Sequence, residues 1–274
     1  MSQRLDAYLV EAGLIKSRER AKALIKSGGV KVGGRVITKP AFAVGETDEV
    51  ECSEDTLSFV GRGGEKLEHA FEVFGLDVQG LCCADIGAST GGFTECLLRH
   101  GARRVYAVDV GHGQLDEGLR SDPRVRDMEG INARYMTPEL FEEMPTFICG
   151  DLSFISLRLV ISAMIECLCE GGELVLLIKP QFEAGRAALN KKGIVKDPKE
   201  HIRVIMELTE LFTQSGLTVL GLAYSGIRGS DGNIEYLIRM KKGGSHKTAV
   251  ISPEETVKAA FAHFKDHRPK EAHP

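Results

Sequence analysis

The chain has 274 residues, of which 43% are hydrophobic and 27% charged, so it can bury a substantial core and is neither disordered nor fibrous in composition. The formal net charge of −4 is unevenly spread: residues 1–40 carry 9 Lys and Arg against 3 Asp and Glu, and the remainder is acidic. Seven cysteines without a Cys-x-x-Cys pair argue against a disulfide framework. Because no leader and no long apolar stretch is apparent, we expect a cytoplasmic protein without a membrane span.

Residues 1–60 are predicted to form a small basic α+β module. Apolar residues at helical spacing predict one helix from Leu5 to Gly13 and a second that begins at the N-cap Ser17. The double glycine at 33–34, between two short β-rich runs, predicts a tight hairpin. A concentrated basic head of this kind can bind phosphates even though the whole chain is acidic.

Beyond a hinge-like segment at 61–64, strand and helix patterns alternate, which predicts a parallel α/β sheet over residues 65–245. The predicted strands are 81–86, 103–110, 145–150, 173–179 and 217–224, and the predicted helices are 64–75, 92–100, 156–169 and 198–214. A last strand at 234–240 follows too short a connection for a parallel crossover and should pair antiparallel. Residues 246–274 are predicted to be a tail with a helix at 253–265.

The first strand of this body runs into a glycine-rich loop and then a helix, the order found at dinucleotide-type sites. Ser89 replaces the glycine that would let a pyrophosphate approach, and Asp85 stands at the strand end. Asp109 ends the next strand, where a carboxylate can accept both ribose hydroxyls. S-adenosylmethionine, which has a ribose but no phosphate, fits both details. The alternative is a structural glycine turn with a solvated Asp109.

Polar residues after other predicted strands are the candidates for chemistry, because ligands of open α/β sheets bind at the carboxyl ends of strands. Lys179 leaves an apolar run and should be poorly solvated, so it can act as a base or simply form a salt bridge. Asp151 likewise follows the predicted strand at 145–150, whereas Glu235 lies at the beginning of the last predicted strand. The motifs expected for exocyclic-amine or pyrimidine-carbon methylation are missing. The eight histidines are scattered, and no metal site is predicted.

Two sets of motifs resemble known families. Arg4-Leu5-Asp6-Ala7-Tyr8-Leu9 together with Ser17-Arg18-Glu19-Arg20-Ala21 resembles the S4 RNA-binding domain. Arg62-Gly63-Gly64-Glu65-Lys66-Leu67, the glycine loop, Gly150-Asp151-Leu152-Ser153-Phe154-Ile155-Ser156-Leu157 and Ile178-Lys179-Pro180-Gln181-Phe182-Glu183 resemble the FtsJ-like methyltransferases. The combination is similar to the TlyA family, also named hemolysin A. It implies a class I, Rossmann-like methyltransferase with a mostly parallel seven-stranded sheet, preceded by a small S4-like domain.

The resemblance also implies an activity, S-adenosylmethionine-dependent 2′-O-methylation of cytidine in ribosomal RNA, of the 16S type, the 23S type or both. The implied catalytic residues are Lys66, Asp151, Lys179 and Glu235, with Lys179 drawing the hydroxyl proton. The implied cofactor contacts are Asp85, Gly87, Ser89, Gly91, Gly92, Phe93, Asp109, Glu129 and Asn132. The expected RNA contacts are Arg4, Arg18, Arg20, Lys22, Lys26, Lys31, Arg35 and Arg62.

Two other functions remain open at this point. The hemolysin name suggests a membrane-lytic protein, although the sequence offers no membrane span and no strongly amphipathic apolar helix. A catalytically inactive RNA-binding factor of ribosome assembly would share the head and would bind the cofactor without turnover.

Overall fold

The computed structural model describes residues 3–15, 18–26, 28–45, 48–52, 59–243, 249 and 251–266. The chain divides into two compact units, residues 1–62 and 63–274. Each unit has a hydrophobic core of its own. The prediction of a basic α+β module that precedes an α/β body with a mostly parallel seven-stranded sheet is confirmed.

The first unit packs two short helices against two small antiparallel sheets. Its elements are β1 (Gln3–Arg4), α1 (Leu5–Glu11), α2 (Arg18–Lys26), β2 (Val30–Val32), β3 (Arg35–Val36), β4 (Ala43–Val44) and β5 (Val50–Cys52). The hairpin of β2 and β3 turns at Gly33 and Gly34, which both have positive φ and so favour glycine. Leu5, Leu9 and Leu24 are fully buried between the helices and the strands. The predicted N-cap Ser17 lies outside the described residues.

The second unit is organised around one seven-stranded sheet. Its strands are β6 (Cys82–Ile86), β7 (Arg104–Asp109), β8 (Val125–Glu129), β9 (Phe147–Gly150), β10 (Glu173–Ile178), β11 (Leu217–Tyr224) and β12 (Tyr236–Lys242). They are ordered β11-β12-β10-β9-β6-β7-β8. β12 pairs antiparallel with both neighbours, as its short connection predicts, and the other pairings are parallel.

Sequence patterns miss the edge strand β8. Its sequence Val-Arg-Asp-Met-Glu has no apolar run, because an edge strand that is only half buried needs none. The backbone pairing with β7 forms the strand instead, from Val105 opposite Val125 to Asp109 opposite Glu129.

Helices cover both faces of the sheet: α3 (Gly63–Phe74), α4 (Gly92–Arg99), α5 (Glu117–Arg120), α6 (Ile161–Glu166), α7 (Pro180–Glu183), α8 (Pro198–Gln214) and α9 (Pro253–Asp266). The helix expected over 156–169 is shorter, because a 3₁₀ turn precedes α6 and the Cys169 N–H bonds to the Pro145 carbonyl on the way to β10. The helix of the predicted tail is part of the core: Val257, Ala260 and Phe264 of α9 are buried.

Candidate active site

The sheet topology brings three predicted catalytic residues to one edge. β9 and β10 are adjacent and parallel, so Asp151 and Lys179, which follow them, emerge side by side. β12 runs in the opposite direction, and its first residue, Tyr236, pairs with Ile178 at the end of β10. Glu235 therefore begins its strand where Lys179 leaves its own. The antiparallel strand β12 thus adds Glu235, at its beginning, to the side of the sheet where the parallel strands end.

Lys66 reaches the same point from the first turns of α3. Its Nζ lies 3.0 Å from Asp151 Oδ2 and 2.7 Å from Glu235 Oε2. On the other side, Lys179 Nζ lies 2.5 Å from Asp151 Oδ1. Asp151 consequently uses one carboxylate oxygen for each lysine. The four predicted residues, which we call the tetrad, form one connected cluster of two cations and two anions.

Burial makes the pairing inside the tetrad energetically important. The two lysines are 6% and 7% exposed and Glu235 is 2% exposed. Desolvation by itself lowers the pKa of Lys66, but the carboxylates of Asp151 and Glu235 outweigh it and hold that pKa above its ordinary value. Burial likewise favours a neutral Asp151, yet Lys66 and Lys179 bring the pKa of this carboxyl below its usual range. The charges of Lys66 and Asp151 are therefore stabilised by their charged partners in the tetrad.

Two further polar side chains contact the tetrad and were not predicted. The Ser153 hydroxyl lies 2.9 Å from Lys179 Nζ, and Gln181 Nε2 lies 3.5 Å from Glu235 Oε1. Each stands two residues after a tetrad member in the chain, Ser153 after Asp151 and Gln181 after Lys179. A polar side chain two residues after a predicted catalytic residue is the sequence signal that could have identified both.

A cavity of about 630 Å³ opens beside the tetrad at the ends of β6, β7 and β9. Its volume lies in the range of small-molecule sites. Four residues predicted to bind a cofactor line it: Gly87, Ser89, Asp109 and Asn132. Asp151 lines it too, so the cavity and the tetrad share a wall. Apolar side chains including Val108, Ile131 and Ile155 supply much of the remaining surface.

The glycine loop has the backbone that its sequence suggests. Gly87 has φ of +88°, and a Cβ there would stand 3.0 Å from the Asp151 carbonyl oxygen. Ser89 also has positive φ, 50°, and its N–H donates to Asp109 Oδ2 at 2.9 Å. The other Asp109 oxygen accepts from the Gly111 N–H. The loop and Asp109 therefore fix each other at the cavity wall.

The other predicted cofactor residues lie outside the cavity lining and support it. Asp85 is fully buried and accepts hydrogen bonds from the Thr94 N–H and hydroxyl, and burial raises the pKa of its carboxyl to about 7. Glu129 accepts from three successive backbone N–H groups, those of residues 113–115. Gly91, Gly92 and Phe93 form the start of α4. These residues hold the strand ends, the loop and the helix in place.

Phe154 is an unusual residue at the mouth of the cavity. Its side chain is 90% exposed and its φ is +62°, although bulky residues rarely adopt positive φ. Its ring centroid lies 5.2 Å from that of Phe182, and Lys179 Nζ lies 5.8 Å from the Phe182 centroid. An aromatic pair, of which Phe154 is exposed and Phe182 half-buried, is thus held next to the candidate base.

The predicted RNA contacts in the first unit differ in their exposure and in their ion pairs. Arg4 and Arg18 both pair with the buried Asp6, and both side chains stay about half exposed. The hydrogen bond from Arg4 is the main reason why the pKa of Asp6 lies below its ordinary value. Lys31, Arg35 and Arg62 are exposed, and Lys22 is half-buried. The side chains of Arg20 and Lys26 lie outside the described part of the structure. Backbone positions alone place these two on α2.

Replacing Lys66 with Met should lower the free energy of unfolding by about 3 kcal/mol, since it leaves the buried Glu235 without a cation and Asp151 with Lys179 alone. Urea denaturation at neutral pH measures this loss. The double variant Lys66→Met/Glu235→Gln should recover part of it because one orphaned charge is gone. Lys241→Met, at the opposite end of β12, is the control and should change little. Equal stability of Lys66→Met and wild type would contradict a strongly coupled tetrad.

Comparisons with known proteins agree with this architecture. The chain matches the FtsJ-like methyltransferase family model over residues 59–242 and the S4 domain model over residues 3–50. Among the described residues, none of the helices has the length and apolar character that a membrane span requires.

Similar proteins span nearly the whole chain. One is the Mycobacterium tuberculosis protein named 16S/23S rRNA (cytidine-2′-O)-methyltransferase TlyA, 39% identical over 94% of this chain and 97% of that protein. Another is hemolysin A of Brachyspira hyodysenteriae, 42% identical over 85% of this chain and 98% of that protein. A solved Streptococcus thermophilus structure with a provisional hemolysin name is 42% identical, covers 97% of this chain and 98% of its own, and has a TM-score of 0.79. The chain therefore belongs to the TlyA family, in which an S4 domain accompanies an FtsJ-like methyltransferase domain.

Proposed function

We propose that this methyltransferase transfers a methyl group from S-adenosylmethionine to the ribose 2′-hydroxyl of cytidine in ribosomal RNA, of the small subunit, the large subunit or both. The observation that carries the proposal is the buried tetrad at the wall of a small-molecule cavity, with Lys179 held by Asp151 and Ser153. The name of the Mycobacterium tuberculosis relative supports the choice of reaction and substrate.

The lining of the cavity is chemically suited to S-adenosylmethionine. Each Asp109 oxygen accepts one backbone N–H and keeps a lone pair for a ribose hydroxyl. Gly87 and Ser89 would hold the amino-acid part, and the apolar Val108 and Ile131 the adenine, with Asn132 beside it. When bound, the cofactor supplies an electrophilic methyl group on a sulfonium. Most of the rate enhancement then comes from holding the hydroxyl in register.

Lys179 is the proposed proton acceptor. After losing its own proton to solvent, Lys179 Nζ would take the proton of the 2′-hydroxyl while that oxygen bonds to the methyl carbon and the methyl–sulfur bond breaks. The resulting ammonium would then pass the proton to water. Asp151 and Ser153 fix the direction of the amine, and Asp151 stabilises the ammonium that forms. Lys66 adds a positive charge next to the oxygen as negative charge develops there. Glu235 keeps Lys66 in place.

The exposed Phe154 provides a surface for the base of the target nucleotide. Bases stack on aromatic side chains regardless of their sequence context, at about 1–3 kcal/mol per base. The strain of a positive φ at this residue is understandable if the ring must stand open at the cavity mouth. Phosphate contacts by the basic first unit then supply affinity without reading the sequence.

Lys179→Met should reduce methyl transfer at least about a hundredfold, because the 2′-hydroxyl loses its proton acceptor. The assay measures transfer of radiolabelled methyl to ribosomal subunits from cells that lack the protein, with the subunits tested intact and separately. Lys241→Met serves as the matched control. A Lys179→Met variant that retains most of the activity would refute the proposed base.

If the wild type binds S-adenosylmethionine but labels neither subunit, the protein is instead a ribosome-assembly factor without turnover. The hemolysin name would instead be favoured if the purified protein lysed membranes at the concentrations used in the methyl-transfer assay and transferred no methyl group.

Gly87→Ala should weaken S-adenosylmethionine binding about tenfold or more. The new Cβ would press on the Asp151 carbonyl while the residue is also strained at positive φ. Gly75→Ala is the matched control, since Gly75 has φ of +58° with nothing within 4 Å of a Cβ. Isothermal titration calorimetry distinguishes the two. Equal affinities would show that the glycine loop does not form the binding site.

Lys31→Ala/Arg35→Ala should weaken RNA binding and leave cofactor affinity unchanged. Both side chains are exposed on the hairpin of the first unit, and each lost phosphate contact should reduce the salt dependence of log K by about one. Filter binding at several salt concentrations measures the slope. Lys199→Ala/Lys258→Ala, on exposed positions of α8 and α9, controls for the loss of charge alone. The same slope for both double variants would contradict an RNA-binding role of the hairpin.

A further inference from the structure

A second cluster of polar side chains joins α3 to α4 and is separate from the tetrad. His100 Nε2 lies 3.0 Å and 3.2 Å from the two carboxylate oxygens of Glu68. Cys96 Sγ lies 3.5 Å from Glu68 Oε2. The three ligand-type atoms are all within 4.8 Å of one another. In the part of the chain that the structure describes, no other three residues of these types meet in this way.

The spacing of these atoms suits a tetrahedral metal ion. Zinc binds sulfur at about 2.3 Å and nitrogen or oxygen at about 2.0–2.1 Å, so ligand atoms in a tetrahedral site stand roughly 3.3–3.6 Å apart. Glu68 Oε2 lies 3.0 Å from His100 Nε2 and 3.5 Å from Cys96 Sγ, near these values, and the sulfur and the nitrogen lie within 4.8 Å of each other. Cys96 and His100 are four residues apart, which places them on one face of the helix end, as in other helical metal sites.

The surroundings hold the cluster in an open and ordered form. The Phe71 ring stacks on the His100 ring with centroids 3.7 Å apart and an angle of 7°, which fixes the direction of the imidazole. Cys96 is fully buried, whereas His100 and Glu68 are about one-third exposed, so a cation and a water molecule have access from solvent.

We propose that Glu68, Cys96 and His100 bind one Zn²⁺ ion, with water as the fourth ligand. On binding, the Cys96 thiol releases its proton to solvent, and the thiolate and the carboxylate together neutralise the ion. The ion would fasten α3, which carries Lys66, to α4, which begins at the glycine loop. The site is separate from the proposed catalytic chemistry and does not depend on it.

The test is metal binding to the full chain. After treatment with a chelator, the protein should take up one Zn²⁺ per chain in equilibrium dialysis, and added Zn²⁺ should raise its melting temperature. Co²⁺ in place of Zn²⁺ should give a sulfur-to-metal charge-transfer absorption and the visible bands of a tetrahedral ion. Absence of stoichiometric uptake, or Co²⁺ spectra without the sulfur band, would overturn the proposal.

Variants locate the ion within the chain. Cys96→Ser should abolish the sulfur-to-cobalt band, and Glu68→Gln and His100→Ala should each lower Zn²⁺ affinity at least about tenfold. Glu68 and His100 are partly exposed, so their variants stay informative if the buried Cys96→Ser fails to fold. Cys169→Ser and His69→Ala, which remove the same side-chain types elsewhere in this unit, should bind as the wild type does. Loss of binding in these controls alone would place the ion elsewhere and refute the site.

Discussion

Two lysines can remain buried at the edge of the sheet only because two carboxylates reach them there, and the candidate active site of the second unit depends on this pairing. Burial opposes each of these charges, so removing one partner leaves another unpaired. The partners come from α3 and from the ends of three adjacent strands, β9, β10 and β12. Any slip of register in these strands would separate them. The order and register of these strands therefore hold the amine of Lys179 in a fixed position beside the cavity.

Much of this arrangement could be predicted from the sequence. Alternating apolar runs and helical stretches indicate a parallel α/β sheet, and the short connection before the last strand indicates its antiparallel direction. Since the carboxyl ends of parallel strands meet at one edge, the positions of Asp151 and Lys179 follow from the strand pattern. The position of Lys66 does not follow from any such pattern. A lysine on a helix is ordinarily solvated, and the family resemblance alone implied its part in the site.

Features that depend on tertiary contacts could not be predicted in the same way. The edge strand β8 has no apolar run and exists through its pairing with β7. The carboxylates of Asp85 and Glu129, two predicted cofactor contacts, bond to Thr94 and to the backbone of residues 113–115, and the sequence does not indicate these bonds. The cluster of Glu68, Cys96 and His100 joins residues from two helices, so no local spacing motif contains all three. Packing decides each of these roles.

The position of the transferred methyl group tests the central claim most directly, because the tetrad is proposed to act on a ribose hydroxyl. Ribosomal RNA from cells that lack the protein would be incubated with the enzyme and isotopically labelled S-adenosylmethionine, digested to nucleosides and analysed by mass spectrometry. If the tetrad acts on the ribose hydroxyl, the digest contains labelled 2′-O-methylcytidine whose label is lost with the sugar when the glycosidic bond breaks. Label that stays with the base fragment would contradict that claim.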